Sequence, residues 1–320
     1  MGRTLARRLL DRGELTGPSG GQEPIERVVL FDAVVPEQLP AGLDDRAELV
    51  AGDVADARVV RSVIDDEELS VFHLASMVSA GCEADFDGAW RVNLDGCRAV
   101  LEACRARPEP CRLVFSSSIA AFGGAGMPEV VSDATKQTPQ TTYGATKAIC
   151  ELLVNDYTRK GFVDGRSARL PTVIVRPGKP NAAASSWVSG VFREPLNGQE
   201  CIVPVEPSTR APVSGYRTVV DNLVRLHEVS PAALDDDRAI GFPSLDVTLE
   251  QMTAALHKVA DRPLGPVRLQ PDPMVMAIFR GWAQRASSQR AMALGLVRDE
   301  SLEAIVRAYI EDFLPPPVVS

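Results

Sequence analysis

The segment Arg112-Leu-Val-Phe-Ser-Ser-Ser118 is an apolar run that ends in three hydroxyl side chains, and Tyr143-Gly-Ala-Thr-Lys147 begins twenty-five residues after Ser118. The run has no polar alternation, which predicts a strand over Arg112–Ser116 that is buried on both faces. Tyr143 and Lys147 are four residues apart, so on a helix they share one face and the ammonium lies close to the phenol. The two segments predict a strand end and a helix start that face one crevice.

Short apolar runs and amphipathic helical stretches alternate on both sides of these segments. The predicted strands are Arg27–Asp32, Glu48–Ala51, Val71–Ala75, Arg112–Ser116 and Thr172–Val175. The predicted helices are Arg3–Arg12, Ala55–Ile64, Phe86–Ala106 and Tyr143–Lys160. This alternation is typical of an α/β fold, and we predict a Rossmann-type doubly wound parallel sheet over residues 1–176.

Residues 177–320 differ in composition from residues 1–176, because proline and glycine are frequent at the start of this segment. Helices are predicted only around Val219–Glu228, around Leu249–Ala260 and from Leu302 onward. We expect this part to be a smaller, mainly substrate-binding region that closes on the first.

The chain begins inside the first predicted helix, and no predicted strand precedes that helix. A doubly wound sheet that binds a dinucleotide opens with a strand and a glycine-rich turn, whose amides hold the pyrophosphate at the helix start. Only Gly2 has such a position, because Gly13, Gly17, Gly20 and Gly21 follow the helix. We expect that the first strand and most of the turn are missing because the start site is placed roughly a dozen residues too late, with a real truncation as the alternative.

Composition limits the classes of partner. The formal net charge is −9, with 45% hydrophobic and 24% charged residues, which leaves no basic field for nucleic acid or an anionic membrane surface. No apolar run is as long as a membrane span, and no signal-peptide core begins the chain. We expect a cytoplasmic protein that acts on small molecules, with no nucleic-acid or membrane partner.

The cysteines and histidines show no metal-ligand spacing, and no Cys-x-x-Cys pair occurs. The six cysteines are Cys82, Cys97, Cys104, Cys111, Cys150 and Cys201. We predict buried thiols of a reducing compartment and no metal site.

Together these residues give a chain that resembles the extended short-chain dehydrogenase/reductases, an NAD-dependent epimerase/dehydratase-like family that includes nucleotide-sugar epimerases. The resemblance runs from Gly2 to about Glu228. It implies NAD as cofactor, with Asp32 accepting the adenosine ribose hydroxyls, and it implies a structural role for Asn93. The implied cofactor-binding residues are Gly2, Asp32, Asp53, Val54, Ala75, Asn93, Tyr143, Lys147, Pro177 and Gly178.

The resemblance also implies a catalytic centre of Ser118, Tyr143 and Lys147. Tyr143 is expected to take the proton of a substrate hydroxyl while Ser118 hydrogen-bonds the same oxygen. Lys147 is expected to favour loss of the tyrosine proton and to bind the nicotinamide ribose. The choice of Ser118 over Ser116 and Ser117 follows the strand-end serine of the family.

The segment from Arg169 to Ser186 is similar to a branch of the family that oxidises four-carbon sugar acids. This similarity implies NAD-dependent oxidation of the C2 hydroxyl of D-erythronate to 2-dehydro-D-erythronate. A sugar acid needs a counter-charge for its carboxylate. The implied substrate-binding residues are Ser118, Tyr143, Lys179, Asn181, Arg193 and Arg217. The family also suggests a homodimer formed through the helix that carries Tyr143.

Two other functions stay open. A nucleotide-sugar epimerase of the same fold would use the same three catalytic residues. Dehydratases of the fold place acidic residues after the catalytic hydroxyl, whereas Ser118 is followed by Ile119 and Ala120. A non-catalytic, truncated NAD-binding-like protein is the second alternative, because the glycine-rich turn is incomplete.

Overall fold

The structure is a computed structural model that describes residues 1–66, 68–178 and 185–316. Its strands are β1 (Glu14–Thr16), β2 (Gln22–Pro24), β3 (Val28–Asp32), β4 (Ala47–Ala51), β5 (Ser70–His73), β6 (Arg112–Ser118), β7 (Asp164–Leu170), β8 (Thr172–Ile174), β9 (Cys201–Val203), β10 (Arg210–Gly215), β11 (Ala239–Gly241), β12 (Leu245–Thr248) and β13 (Val267–Leu269).

The α-helices are α1 (Gly2–Arg12), α2 (Ala57–Val63), α3 (Ser79–Ala84), α4 (Phe86–Ala89), α5 (Gly96–Arg105), α6 (Thr142–Arg159), α7 (Ser186–Leu196), α8 (Tyr216–Glu228), α9 (Leu249–Val259), α10 (Pro273–Arg280), α11 (Gln289–Ala293) and α12 (Leu302–Phe313). A π-helical segment, Trp90–Asp95, joins α4 to α5. The single helix predicted over Phe86–Ala106 is therefore interrupted. None of these helices is long and apolar enough to cross a membrane.

A four-stranded parallel sheet lies at the centre of the fold, in the order β11-β7-β6-β5. Its strand β6 is apolar on both faces. Leu113 and Phe115 pack in a core with α5 and α6, whereas Val114 packs in a second core with α1 and α8. Helices thus cover both faces of a parallel sheet, and the predicted Rossmann-type α/β class is confirmed.

Strand β7 corrects the predicted strand list, which has no strand over Asp164–Leu170. Its Arg166 is fully buried, although arginine argues against a buried strand. The guanidinium donates to Asp164 Oδ2 at 2.7 Å and to the His227 carbonyl oxygen at 2.6 Å. The nearby Asp164 and the His227 carbonyl oxygen, which is distant in sequence, therefore satisfy the buried charge of Arg166, and the sequence pattern alone did not indicate this.

The predicted strand over Thr172–Val175 also needs correction, because its partners lie outside the central sheet. Strand β8 pairs in parallel with β10, which pairs in antiparallel with β12. This smaller sheet belongs to the core formed mainly by residues after Ile174. Helix α8 nevertheless packs with α1 against the central sheet. The domain division at residue 176 stays a prediction.

A cleft of about 1630 Å³ lies between β3 and β5. In the described ranges, β3 pairs with β4 only, so these two strands form a sheet of their own. No strand precedes α1 within those ranges.

We predict that Leu101→Ala lowers the free energy of unfolding by about 3 kcal/mol, because it empties a fully buried site between α5 and the central sheet. The matched control is Leu269→Ala, since Leu269 is 51% exposed, and its expected cost is below about 0.5 kcal/mol. Urea unfolding measures both values. Equal costs for the two variants would contradict the core described here.

Candidate active site

The end of β6 and the start of α6 lie against each other. Ser118 ends β6, and its Oγ accepts from the Ala120 amide at 3.1 Å. Thr141 caps α6 by accepting from the Gly144 amide at 3.1 Å. A Cβ on Gly144 would lie 2.1 Å from the Ala120 carbonyl oxygen. Glycine therefore permits the helix that begins with Thr142 and Tyr143 to touch the turn after Ser118.

Lys147 makes a further contact between the same strand and helix. Its side chain is buried, and Nζ donates to the Ser116 carbonyl oxygen at 2.7 Å. Nζ also lies 4.8 Å from the ring centroid of Phe115 and 5.5 Å from that of Tyr143. The predicted pairing of an ammonium with the Tyr143 ring is thus present, next to the strand that ends at Ser118.

Six of the predicted cofactor-binding residues line the cleft between β3 and β5. They are Gly2, Asp32, Val54, Ala75, Pro177 and Gly178. Asp32 is exposed at the carboxyl end of β3, and its carboxylate accepts only from the Val34 amide, at 3.3 Å, among the described residues. Gly2 begins α1, where a helix presents unpaired amides to an anion. An exposed carboxylate and the unpaired amides of a helix start therefore lie on one cleft, and their chemistry suits the hydroxyl and phosphate groups of a dinucleotide.

The other two predicted cofactor residues outside the catalytic group do not line the cleft. Asp53 forms an ion pair with Arg91 and accepts from the Ala55 amide at 2.9 Å. The hydrogen bond from Ala55, followed by the Arg91 contact, lowers the pKa of Asp53. Asn93 is buried in the π-helical segment, where Oδ1 accepts from the Met77 amide at 2.8 Å. The contact of Asn93 fits the predicted structural role.

The predicted substrate cations have different surroundings. Lys179 and Asn181 lie outside the described residues. Arg193 is buried, with Nη2 bonded to Glu194 at 2.6 Å and Nη1 to the Arg176 carbonyl oxygen at 2.9 Å. Arg217 is held by Asp312 and Glu311 on α12, at 2.6 and 2.9 Å. Both arginines are therefore engaged by protein oxygens, and their roles in substrate binding stay predictions.

Sequence reasoning missed Arg176 as a candidate site residue. Its side chain is partly buried and lines the cleft. Burial and the neighbouring Arg193 charge lower the pKa of Arg176, and Tyr143 acts in the opposite direction. The guanidinium has no hydrogen-bond partner among residues 1–66, 68–178 and 185–316. Its position just before Pro177-Gly178 was the available signal.

Pro171 and Thr172 were also missed as neighbours of the site. Leu170 at the end of β7 pairs with Ser118 at the end of β6. The next residues therefore leave the sheet at the same edge as Ser118, where ligands bind in parallel sheets. The charged residues of β7 hid this strand end in the sequence.

The predicted buried thiols are confirmed, because all six cysteines are free and buried. Within the part of the chain that the structure describes, no group of three or more His, Cys, Asp or Glu side chains has a metal-binding arrangement.

Residues 1–209 match the model of the NAD dependent epimerase/dehydratase family. The chain belongs to this family. It is 45% identical to D-erythronate dehydrogenase of Cupriavidus necator, over 98% of this chain and 95% of that protein. It is 37% identical to D-erythronate dehydrogenase of Haemophilus influenzae, over 90% of each. The family resemblance drawn from the sequence is thus confirmed.

Two solved structures are similar to this chain in fold. A nucleoside-diphosphate-sugar epimerase from Agrobacterium tumefaciens matches with a TM-score of 0.88 and 38% identity, over 98% of this chain and 91% of that one. A monomeric L-threonine 3-dehydrogenase from a metagenome matches with a TM-score of 0.82 over 97% and 94%. Because this structure is 19% identical to the chain, the match supports a shared fold and nothing further.

We predict that His73 makes stability depend on pH. Burial, followed by the Lys147 charge, lowers the pKa of His73 from 6.5 to about 3. Between pH 3 and pH 6.5 the unfolded chain therefore binds more protons than the folded chain. The contribution of His73 to the free energy of unfolding is complete above pH 6.5 and is lost as pH falls towards 3. From pH 7 to 5 the wild type should lose about 2 kcal/mol more than His73→Leu.

Urea unfolding at the two pH values measures this difference. The control is His257→Leu, because His257 is exposed on α9; it should keep the wild-type slope. The same slope in wild type and His73→Leu would contradict the assignment.

Proposed function

We propose that this protein is an NAD-dependent dehydrogenase that oxidises the C2 hydroxyl of D-erythronate to 2-dehydro-D-erythronate. The observation that carries the proposal is the buried Lys147 ammonium, which lies beside the Tyr143 ring and bonds to the strand that ends at Ser118. This arrangement suits oxidation of an alcohol. The identity of 45% to a D-erythronate dehydrogenase supports the substrate.

NAD, when bound, supplies the hydride acceptor. Tyr143 accepts the proton of the C2 hydroxyl as the C2–H bond breaks, and the C–O bond becomes a carbonyl. Ser118 donates a hydrogen bond to the same oxygen and holds it towards Tyr143. Lys147 favours the tyrosinate through its charge and binds ribose hydroxyls. Asp32 would hold the adenosine ribose, and the amides at the start of α1, from Gly2 onward, would hold the pyrophosphate.

We predict that Tyr143→Phe lowers kcat by at least about 100-fold, because the ring is kept and only the proton-accepting oxygen is lost. The assay follows NADH formation from NAD and D-erythronate by the 320-residue chain. The control is Tyr157→Phe, on the same helix and partly buried. Wild-type protein that binds NAD but forms no NADH would rule out this substrate, and an active Tyr143→Phe would rule out the catalytic role.

A nucleotide-sugar epimerase is the second candidate, favoured by the 38% identity to the nucleoside-diphosphate-sugar epimerase from Agrobacterium tumefaciens. An epimerase returns the hydride to its intermediate and retains its cofactor. Turnover of a UDP-sugar with NAD retained through purification and no net NADH would favour it. Failure of NAD to raise the melting temperature would instead favour a non-catalytic protein.

Arg176 is the proposed counter-charge for the substrate carboxylate. Arg193 and Arg217 already hold carboxylates of the protein, whereas Arg176 lines the cleft and its guanidinium makes no hydrogen bond within the described ranges. A planar guanidinium matches a carboxylate with two parallel hydrogen bonds.

We predict that Arg176→Met raises KM for D-erythronate by about 30-fold, which corresponds to loss of a charged hydrogen bond worth about 2 kcal/mol. KM for NAD should stay within about twofold. Arg176→Lys should recover part of the lost affinity, since lysine keeps the positive charge but lacks the two parallel N–H donors of a guanidinium. Arg225→Met, at an exposed position of α8, is the control. A rise in KM for NAD alone would place Arg176 in the cofactor site instead.

The proposal includes a cytoplasmic location and a homodimer formed through α6. The free, buried cysteines suit a reducing compartment.

A further inference from the structure

A buried ion pair lies behind the strand end that carries Ser118. Glu151 is on α6, four residues after Lys147, and is 2% exposed; Arg169 is on β7 and is 7% exposed. Arg169 Nη2 lies 2.8 Å from Glu151 Oε2, and Nε lies 3.1 Å from each oxygen. The two groups are therefore paired in the bidentate geometry that suits a carboxylate and a guanidinium.

Further hydrogen bonds hold this pair in place. Gln137 donates to Glu151 Oε2 at 2.5 Å. Arg169 Nη1 lies 3.4 Å from Asp133 Oδ1, which also accepts from the Gly241 amide at 2.8 Å. Glu151 is thus fixed by partners from two other parts of the chain.

The remaining partner of Glu151 connects the pair to the site. The Ser117 hydroxyl donates to Glu151 Oε1. Ser117 lies between Ser116, whose carbonyl oxygen accepts from Lys147, and Ser118. Two consecutive residues of β6 are therefore attached to two side chains on successive turns of α6.

We propose that Glu151 is a positioning residue that fixes α6 along β6 through Ser117, and so sets the separation between the Tyr143 and Ser118 hydroxyls. The proposal rests on the proposed dehydrogenase function. The Lys147 bond fixes α6 to β6 at one polar contact within their apolar packing, and the Glu151 bond adds a second polar contact one helical turn further along, which fixes the register of the helix on the strand. Arg169 keeps the Glu151 carboxylate in one orientation.

The energetics favour positioning over stability as the role of the pair. A buried ion pair contributes little net stability compared with apolar residues of the same size, because both charges lose hydration. A displacement of about 1 Å in a catalytic group, by contrast, can cost on the order of 100-fold in rate.

The test removes only the Ser117 hydroxyl. We predict that Ser117→Ala lowers kcat by about 10-fold or more and leaves KM for NAD unchanged. The matched control is Ser167→Ala: Ser167 is fully buried on neighbouring β7, and its hydroxyl has no hydrogen-bond partner among the described residues. Ser117→Thr, which keeps the hydroxyl, should restore most of the rate. A Ser117→Ala kcat within twofold of the Ser167→Ala value would overturn the proposal.

A second readout does not need the substrate. Amide hydrogen exchange over Thr142–Arg159 reports how firmly α6 is held, and it should be faster in Ser117→Ala than in Ser167→Ala. Equal exchange in the two variants would overturn the positioning role. If wild-type protein forms no NADH but the two exchange rates differ, the proposed substrate fails while the positioning role stands.

Discussion

The buried ammonium of Lys147 is the constraint on which the site depends. A charge that is withdrawn from water needs partners, and the Ser116 carbonyl oxygen with the rings of Phe115 and Tyr143 provides them. These partners belong to β6 and α6, so satisfying one charge brings a strand end and a helix start together. Gly144 then allows the backbones to touch at Ala120.

Buried polar groups also organise the rest of the central sheet. Arg112 and Arg166 both donate to the His227 carbonyl oxygen, on α8. Both also pair with Asp164 at the start of β7. The helix from the second half of the chain is therefore tied to the sheet of the first half by charges as well as by apolar packing.

The sequence was sufficient for elements whose stability comes from local apolar pattern. Strand β6 and helix α6 lie where the runs around Phe115 and Tyr143 predict them. Strand β7 was not predictable, because Arg166 and Arg169 read as exposed until partners such as Asp164 and Glu151 are known. The choice of Ser118 among three serines required a resemblance to a known family. Arg176 could be recognised only once the structure showed which other arginines are paired with carboxylates.

The candidate site depends on two separate frameworks. Asp32 lies on the two-stranded sheet of β3 and β4, whereas Ser118 lies on the central sheet, and the cleft separates them. Among the described residues no strand pairing joins these two sheets, so the hydrogen bonds of a common sheet do not fix the distance between Asp32 and Ser118. A dinucleotide that spans the cleft would contact both sheets. It would bind only to the arrangement in which the separation of the two sheets matches its own length. Part of its binding energy would then be used to order β3 and β4 against the central sheet.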